Sequence, residues 1–133
     1  MNELPDKIES LVDALSFVNM AYKADSLAYR LRNPALLRSF GRPGKNEIDE
    51  NGYRIYPTFR AGYQSAVFDA VIKISGRSNS GINKTDLLRN LLGVYGINQD
   101  KDQTQVVSFL RKALQNPDIS LQTPLSYFAE VKK

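Results

Sequence analysis

The chain of 133 residues contains no cysteine and no histidine. Without cysteine it can form neither a disulfide framework nor a thiolate metal site. The lack of histidine removes the commonest general base, the commonest zinc ligand and every Ser-His or Cys-His nucleophilic arrangement. Any catalysis would therefore rest on Asp, Glu, Lys or Tyr side chains.

Several other sequence features are missing as well. No apolar run approaches the length of a membrane span, and the opening stretch MNELPDKIES lacks the basic-then-apolar layout of a signal peptide. We therefore expect no membrane span and no signal peptide, and a location in the cytoplasm or, by packaging, in a virion. Phosphate-binding glycine motifs and nucleotide fingerprints are also missing, so we expect no cofactor and no metal.

The charge balance is basic, with 18 Lys+Arg against 14 Asp+Glu. The excess is concentrated in the middle of the chain, at Arg30, Arg32, Arg38, Arg42, Lys45, Arg54 and Arg60. A basic surface attracts polyanions, including nucleic acid, the acidic peptide stems of peptidoglycan or an acidic partner protein. An ordinary solvated surface would explain the same residues.

Apolar residues at three-and-four spacing predict one mainly α (α+β) domain over residues 1–133, with five or six helices. The first helix should begin near Pro5, with an apolar stripe formed by Ile8, Leu11, Val12, Leu15, Val18 and Tyr22. We expect a helix over residues 60–75 to be the central buried helix, with Phe68 in the core, because it is apolar around most of its circumference. Leu110 should be central to a later helix that starts at Asp100.

Two local signals define the remaining elements. Asn51-Gly52 predicts a short β-hairpin, because both residues tolerate positive φ. Asn83 is a suitable N-cap for a helix over residues 84–92, and Gly93 a suitable stop.

Aromatic residues alternate along the chain after the hairpin turn. We place Tyr53 and Phe59 in the core, and Tyr56 in a surface groove that Arg54 and Tyr63 could also line. Aromatic faces stack on sugars and on nucleobases alike, so this pattern fits two ligand classes.

Residues 25–41 read DSLAYRLRNPALLRSFG. This stretch resembles the signature S-x-A-y-R-N-N-N-P-G-N-L-R of one group of lysozyme-like (lytic-transglycosylase-like) domains found in phage and bacterial proteins. The matching residues are Ser26, Leu27, Ala28, Tyr29, Arg30, Asn33, Pro34, Leu37 and Arg38. The resemblance extends over NGYRIYPTFRAGYQSAVFDAVI and weakly to DISLQTPLSYF, and it implies a lysozyme-like helical domain with one short β-hairpin.

The resemblance also implies a general acid, a glutamate about fourteen residues before the Asn-Pro pair. Asn19 stands at that position, and an amide cannot donate a proton as a carboxylic acid does. We therefore expect cleavage of a glycosidic bond to be weak or absent. Glu47 and Glu50, beside Asp49, are the fallback acid and base; solvated charges on a hairpin turn are the alternative explanation.

Six residues are candidates for binding a glycan: Tyr29, Arg30, Asn33, Arg54, Tyr56 and Tyr63. Arg30 and Asn33 could hydrogen-bond hydroxyl or N-acetyl groups, although Asn33 could instead only form an Asx-type turn before Pro34.

Two functions are open. One is a degenerate lysozyme-like module that binds peptidoglycan or another glycan, or that serves as a structural or virion-associated component with a partner protein in a larger assembly. The other is a small basic helical protein that binds nucleic acid or an acidic protein partner.

Overall fold

The structure, a computed structural model, describes residues 6–38, 47–49, 51–77 and 81–129. These ranges contain α1 (Lys7–Val18), α2 (Leu27–Leu31), β1 (Glu47–Ile48), β2 (Arg54–Ile55), α3 (Phe59–Ile74), α4 (Leu88–Val94), α5 (Asp100–Ala113) and α6 (Ser126–Ala129). The chain is mainly helical, as predicted. None of the helices in these ranges is long and apolar enough to cross a membrane.

Helix α1 forms the centre of the core. The Asp6 side chain caps it by accepting hydrogen bonds from the backbone amides of Ile8 and Glu9; the predicted start at Pro5 lies outside the described residues. The apolar stripe faces α5 and α3, so α1 is buried along most of its length. The helix ends at Asn19, and Met20 then takes a positive φ of 58°.

The core joins residues from every helix except α2. Its largest fully buried side chains are Phe128, Leu11, Leu15, Ile74, Leu88, Leu91, Leu92, Leu110, Ile119, Leu125, Val12 and Val106. Most of them come from α1, α4, α5 and the segment around α6. The prediction that Leu110 lies in the core is therefore confirmed.

Helix α3 is not the central buried helix, and that prediction is wrong. Its buried stripe consists mainly of small residues, Gly62, Ala66 and Ala70, followed by Ile74. Phe68 lies on another face and is 67% exposed. Small residues at four-residue spacing allow the backbone of α3 to approach its neighbours closely, whereas Phe68 and Val71 lie on the exposed side of the helix.

The start of α3 fits closely against the Asn-Pro loop. A Cβ atom added at Gly62 would overlap the carbonyl oxygen of Arg32 and would lie 3.1 Å from Cδ of Pro34. Only glycine leaves room for this contact. The position of the loop relative to α3 therefore depends on a residue without a side chain.

The predicted hairpin at Asn51-Gly52 is confirmed. Strands β1 and β2 pair antiparallel, with Glu47 opposite Ile55 and Ile48 opposite Arg54. Gly52 adopts a φ of 86°, and the carboxylate of Asp49 accepts hydrogen bonds from the amides of Asn51 and Tyr53.

Helix α4 begins four residues later than predicted. The side chains of Asn83 and Asp86 form turn hydrogen bonds, and Leu87 forms an isolated β-bridge with Pro124. The bridge holds the chain extended until Leu88. Gly93 lies within α4 instead of ending it.

We expect Gly62→Ala to lower the free energy of unfolding by about 1–3 kcal/mol or more, because the new methyl group cannot avoid the backbone of Arg32. Gly93→Ala is the matched control. Its Cβ would meet only the Asn98 side chain at 3.6 Å, so we expect it to be neutral or stabilising by up to about 1 kcal/mol. Urea denaturation measures both variants, and equal effects would contradict the close contact at Gly62.

We expect Leu110→Ala to cost about 2–5 kcal/mol, because it removes a fully buried side chain. Phe68→Ala should stay within about 0.5 kcal/mol of wild type, as exposed substitutions usually do. Thermal or urea denaturation of the two variants checks this order. A large loss of stability for Phe68→Ala would mean that the face of α3 that carries Phe68 is buried.

Candidate functional site

Asn33 joins the Asn-Pro loop to the hairpin from the inside. Its side chain is fully buried. The Nδ2 group donates to the carbonyl oxygens of Leu37 and Arg54, each at 2.9 Å, and Oδ1 accepts from the Leu37 amide at 2.8 Å. The amide group is thus used on both its donor and its acceptor sides.

Tyr56 is also buried, with 2% of its surface exposed. Strand β2 ends at Ile55, and the Tyr56 amide donates to the carbonyl oxygen of Leu31 at 3.0 Å. The in-and-out alternation of side chains along a strand therefore ends at Ile55 and does not predict the orientation of Tyr56. The predictions that Asn33 and Tyr56 contact a glycan are corrected, because both side chains are buried. The Tyr56 hydroxyl has no hydrogen-bond partner among the described residues.

Asn19 lies against the same loop. It is the C-cap residue of α1 and half-buried, and its Nδ2 group donates to the carbonyl oxygen of Pro34 at 2.9 Å. The position expected for a general acid is thus in direct contact with the Asn-Pro pair. The side chain there is an amide that acts as a hydrogen-bond donor and holds no dissociable proton near neutral pH.

Three aromatic rings from the turn after α1 and the start of α3 follow one another, and we call them the aromatic row: Tyr22, Phe59 and Tyr63. The ring centroids of Tyr22 and Phe59 are 5.5 Å apart, and those of Phe59 and Tyr63 are 6.3 Å apart. Tyr22 is 63% exposed, and the other two rings are half-buried. The predictions that Phe59 and Tyr22 pack in the core are thus corrected in part, since both rings contribute to the exposed aromatic row.

One end of the aromatic row meets a carboxylate. The Tyr63 hydroxyl donates to Oδ1 of Asp13 at 2.8 Å. Burial raises the pKa of Tyr63, and the hydrogen bond and charge of Asp13 raise it further. Burial and the Asp13 charge also raise the pKa of Tyr22, against an opposing hydrogen bond with Ser16. Both hydroxyls are therefore neutral in the physiological range.

Arginines occupy the surface of α2, the hairpin and the start of α3. Arg30, Arg32, Arg38 and Arg60 are exposed, and Arg54 is half-buried. The Arg38 guanidinium lies 4.4 Å from the ring centroid of Tyr53, and it donates to the Tyr53 hydroxyl at 2.8 Å. Tyr53 is consequently a half-buried surface residue and not the core residue predicted. Arg42 and Lys45 lie outside the described residues.

The acidic candidates of the hairpin remain predictions. Glu50 lies outside the described residues, and of Glu47 the structure describes only the backbone, in β1. Asp49 uses its carboxylate to hold the turn, which is the role that turn-forming Asp residues usually have.

Sequence reasoning named Tyr63 as a site residue but missed Tyr22 and Phe59. Phe59 and Tyr63 are four residues apart at the start of α3, and residues at this spacing meet on one helix face. That spacing was available from the sequence. The contribution of Tyr22 was not, because it depends on the turn that follows α1.

Comparison of the chain with protein-family models, with curated proteins and with solved structures found no match.

We expect Asn33→Ala to lower the free energy of unfolding by at least about 2 kcal/mol, because it leaves buried backbone groups of Leu37 and Arg54 without partners. Asn98→Ala, at an exposed position, is the control and should stay within about 0.5 kcal/mol of wild type. A mild effect at position 33 would contradict the role of its amide.

Asn33→Asp should make the stability of the fold depend on pH. A protonated Asp can donate one of the two lost hydrogen bonds, whereas a carboxylate would face two carbonyl oxygens, so its pKa in the folded state should be raised. The variant should therefore be most stable below the ordinary Asp pKa of about 3.9. It should lose stability relative to wild type as the pH rises through the raised value. Urea denaturation across this pH range measures the difference.

Proposed function

We propose that this chain is a degenerate lysozyme-like module that binds a peptidoglycan-type glycan and cleaves it weakly or not at all. The observation that carries the proposal is the aromatic row, which starts at the exposed Tyr22 and ends at the Asp13 carboxylate. The proposal includes a structural or virion-associated role in a larger assembly, which is compatible with glycan binding.

The chemistry of the row suits a sugar chain. Aromatic faces pack against the apolar faces of sugar rings, while tyrosine hydroxyls and carboxylates bond to hydroxyl and N-acetyl groups. Tyr63 occupies only Oδ1 of Asp13 in its hydrogen bond, so Oδ2 can accept from a ligand. A row of several rings matches a linear polymer better than a single small molecule.

Asn19 supports binding without efficient cleavage. Protonation of the leaving oxygen by a general acid contributes about two to four orders of magnitude in rate. At the position that the lysozyme-like resemblance assigns to this acid, the side chain is an amide bonded to Pro34. Tyr29 and Arg30, both exposed on α2, remain proposed contacts for the glycan or its acidic peptide stems.

The alternative function, binding of nucleic acid, is favoured by one specific observation. The Arg38 guanidinium lies over the Tyr53 ring on a surface that carries further exposed arginines. Cationic and aromatic groups together also bind single-stranded nucleic acid. The two functions differ in their dependence on salt, because only the second relies mainly on the release of counterions from phosphates.

Binding to purified peptidoglycan sacculi tests the aromatic row. Tyr22→Ala should lower the affinity about tenfold, about 1.4 kcal/mol, because it removes an exposed aromatic face that packs against a sugar ring. Phe68→Ala is the matched control, since it removes another exposed aromatic ring from outside the row, and it should bind as wild type does. Sedimentation of the protein with sacculi gives the affinities.

The same assay separates the alternatives. Glycan binding should change little between low and physiological salt, whereas nucleic-acid binding should fall steeply. Sacculus binding that Tyr22→Ala does not weaken would contradict the proposal. Absence of sacculus binding, with salt-sensitive binding of single-stranded DNA, would favour the alternative.

A further inference from the structure

Helix α5 forms one wall of two grooves, and neither groove is lined by a residue of the aromatic row. The first, which we call the apolar groove, has a volume of about 460 Å³ and is lined by Phe17, Thr104, Gln105, Ser108, Phe109, Lys112 and Ala113. The rings of Phe17 and Phe109 lie 5.7 Å apart at their centroids, and Phe17 is 52% exposed. An aromatic pair left open to solvent marks a surface suited to an apolar ligand group.

The second, which we call the arginine groove, has a volume of about 410 Å³. It is lined by Arg89, Thr104, Val107, Ser108, Arg111, Ser120, Leu121 and Gln122. Within the part of the chain that the structure describes, no Asp or Glu lines either groove. Positive charge is therefore not neutralised locally, and the complementary ligand is an anion.

The two grooves meet along α5. Thr104 and Ser108 line both of them, and residues four apart lie one turn apart on the same helix face. A ligand that lies across Thr104 and Ser108 reaches the two aromatic rings in one groove and the two arginines in the other. It needs an apolar group and an anionic group within about one helix diameter, roughly 10 Å.

The wall of the arginine groove is held by hydrogen bonds within the fold. Arg111 Nε donates to the Ile119 carbonyl at 2.7 Å, and the Arg89 amide donates to the Leu121 carbonyl at 2.9 Å. The Thr123 hydroxyl accepts from the Ser120 amide at 2.8 Å. A groove that is already ordered loses less entropy when a ligand binds.

We propose that the α5 surface binds an acidic peptide segment that carries an aromatic side chain. The aromatic ring packs against Phe17 and Phe109 in the apolar groove, and carboxylates pair with Arg89 and with the remaining donors of Arg111. Arginine suits this role because its planar guanidinium bonds carboxylates in a fixed geometry. The charge of the lining and the spacing of the two grooves select this occupant.

A peptide fits better than a lipid carboxylate. An acyl chain needs a site that buries most of its surface, whereas Phe17 shows that the apolar groove is open. An extended peptide advances about 3.3 Å per residue, so an aromatic residue followed within one to three positions by acidic residues spans both grooves. This site shares no residue with the aromatic row. Peptide binding here can therefore be tested independently of glycan binding.

Titration of the ¹⁵N-labelled full chain with three blocked peptides tests the proposal. Their sequences are Gly-Phe-Glu-Glu-Gly and the same peptide with one or two glycines inserted after Phe. At least one of them should shift the backbone resonances of Phe17, Ser108 and Phe109 at millimolar concentrations. The corresponding peptides with Phe replaced by Ala, or with Glu replaced by Lys, should bind at least several-fold more weakly.

Two variants give matched controls. Arg89→Gln should weaken binding by about 1.4-fold to fivefold, the range of one exposed ion pair. Lys101→Gln removes the same charge from α5 at a position that lines neither groove, and it should have no effect. Arg111 is left intact because it supports the fold through Ile119.

Three results would overturn the proposal. The first is that none of the three peptides shifts these resonances. The second is equal binding of the lysine peptides. The third is that dodecanoate shifts the resonances of the apolar groove while the peptides do not, which would identify a lipid site.

Discussion

The side-chain amide of Asn33 is buried between the Asn-Pro loop and strand β2, and its three hydrogen bonds, with Leu37 and Arg54, hold these two segments together. Two further contacts depend on the same position of the loop. Gly62 brings the start of α3 against Arg32, and Asn19 bonds the end of α1 to Pro34. A short loop is thereby fixed between two helices and a hairpin. A buried amide can hold such a junction because both of its N–H groups and its oxygen have partners, whereas an unmatched amide would destabilise it.

The same constraint decides which residues can meet a ligand. Because the side chains of Asn33 and Tyr56 are buried, they cannot form the floor of an open site. The surface beside the loop is built instead by α1 and α3. Met20 takes a positive φ after α1 and redirects the chain, and Tyr22 then meets the ring of Phe59. Asp13 completes this surface from the middle of α1.

Local signals in the sequence predicted the elements well, and tertiary packing explains the differences. The extent of α5, the turn at Asn51-Gly52 and the stripe of α1 depend on neighbouring residues and are present, except that Tyr22 lies beyond α1 and is exposed. Which face of α3 is buried depends instead on how closely small residues let the backbone approach Arg32, and a helix pattern that is apolar on all sides does not show it. The burial of Tyr56 could not be read from strand alternation, because β2 ends at Ile55.

Intermolecular nuclear Overhauser effects between a soluble peptidoglycan fragment and the aromatic protons of the full chain measure most directly where a glycan lies on the protein. We predict contacts from sugar-ring protons to Tyr22 and Phe59, and none to Tyr56. Contacts confined to the arginine-rich side around Tyr53, or no contacts to Tyr22 and Phe59 from a bound fragment, would contradict it.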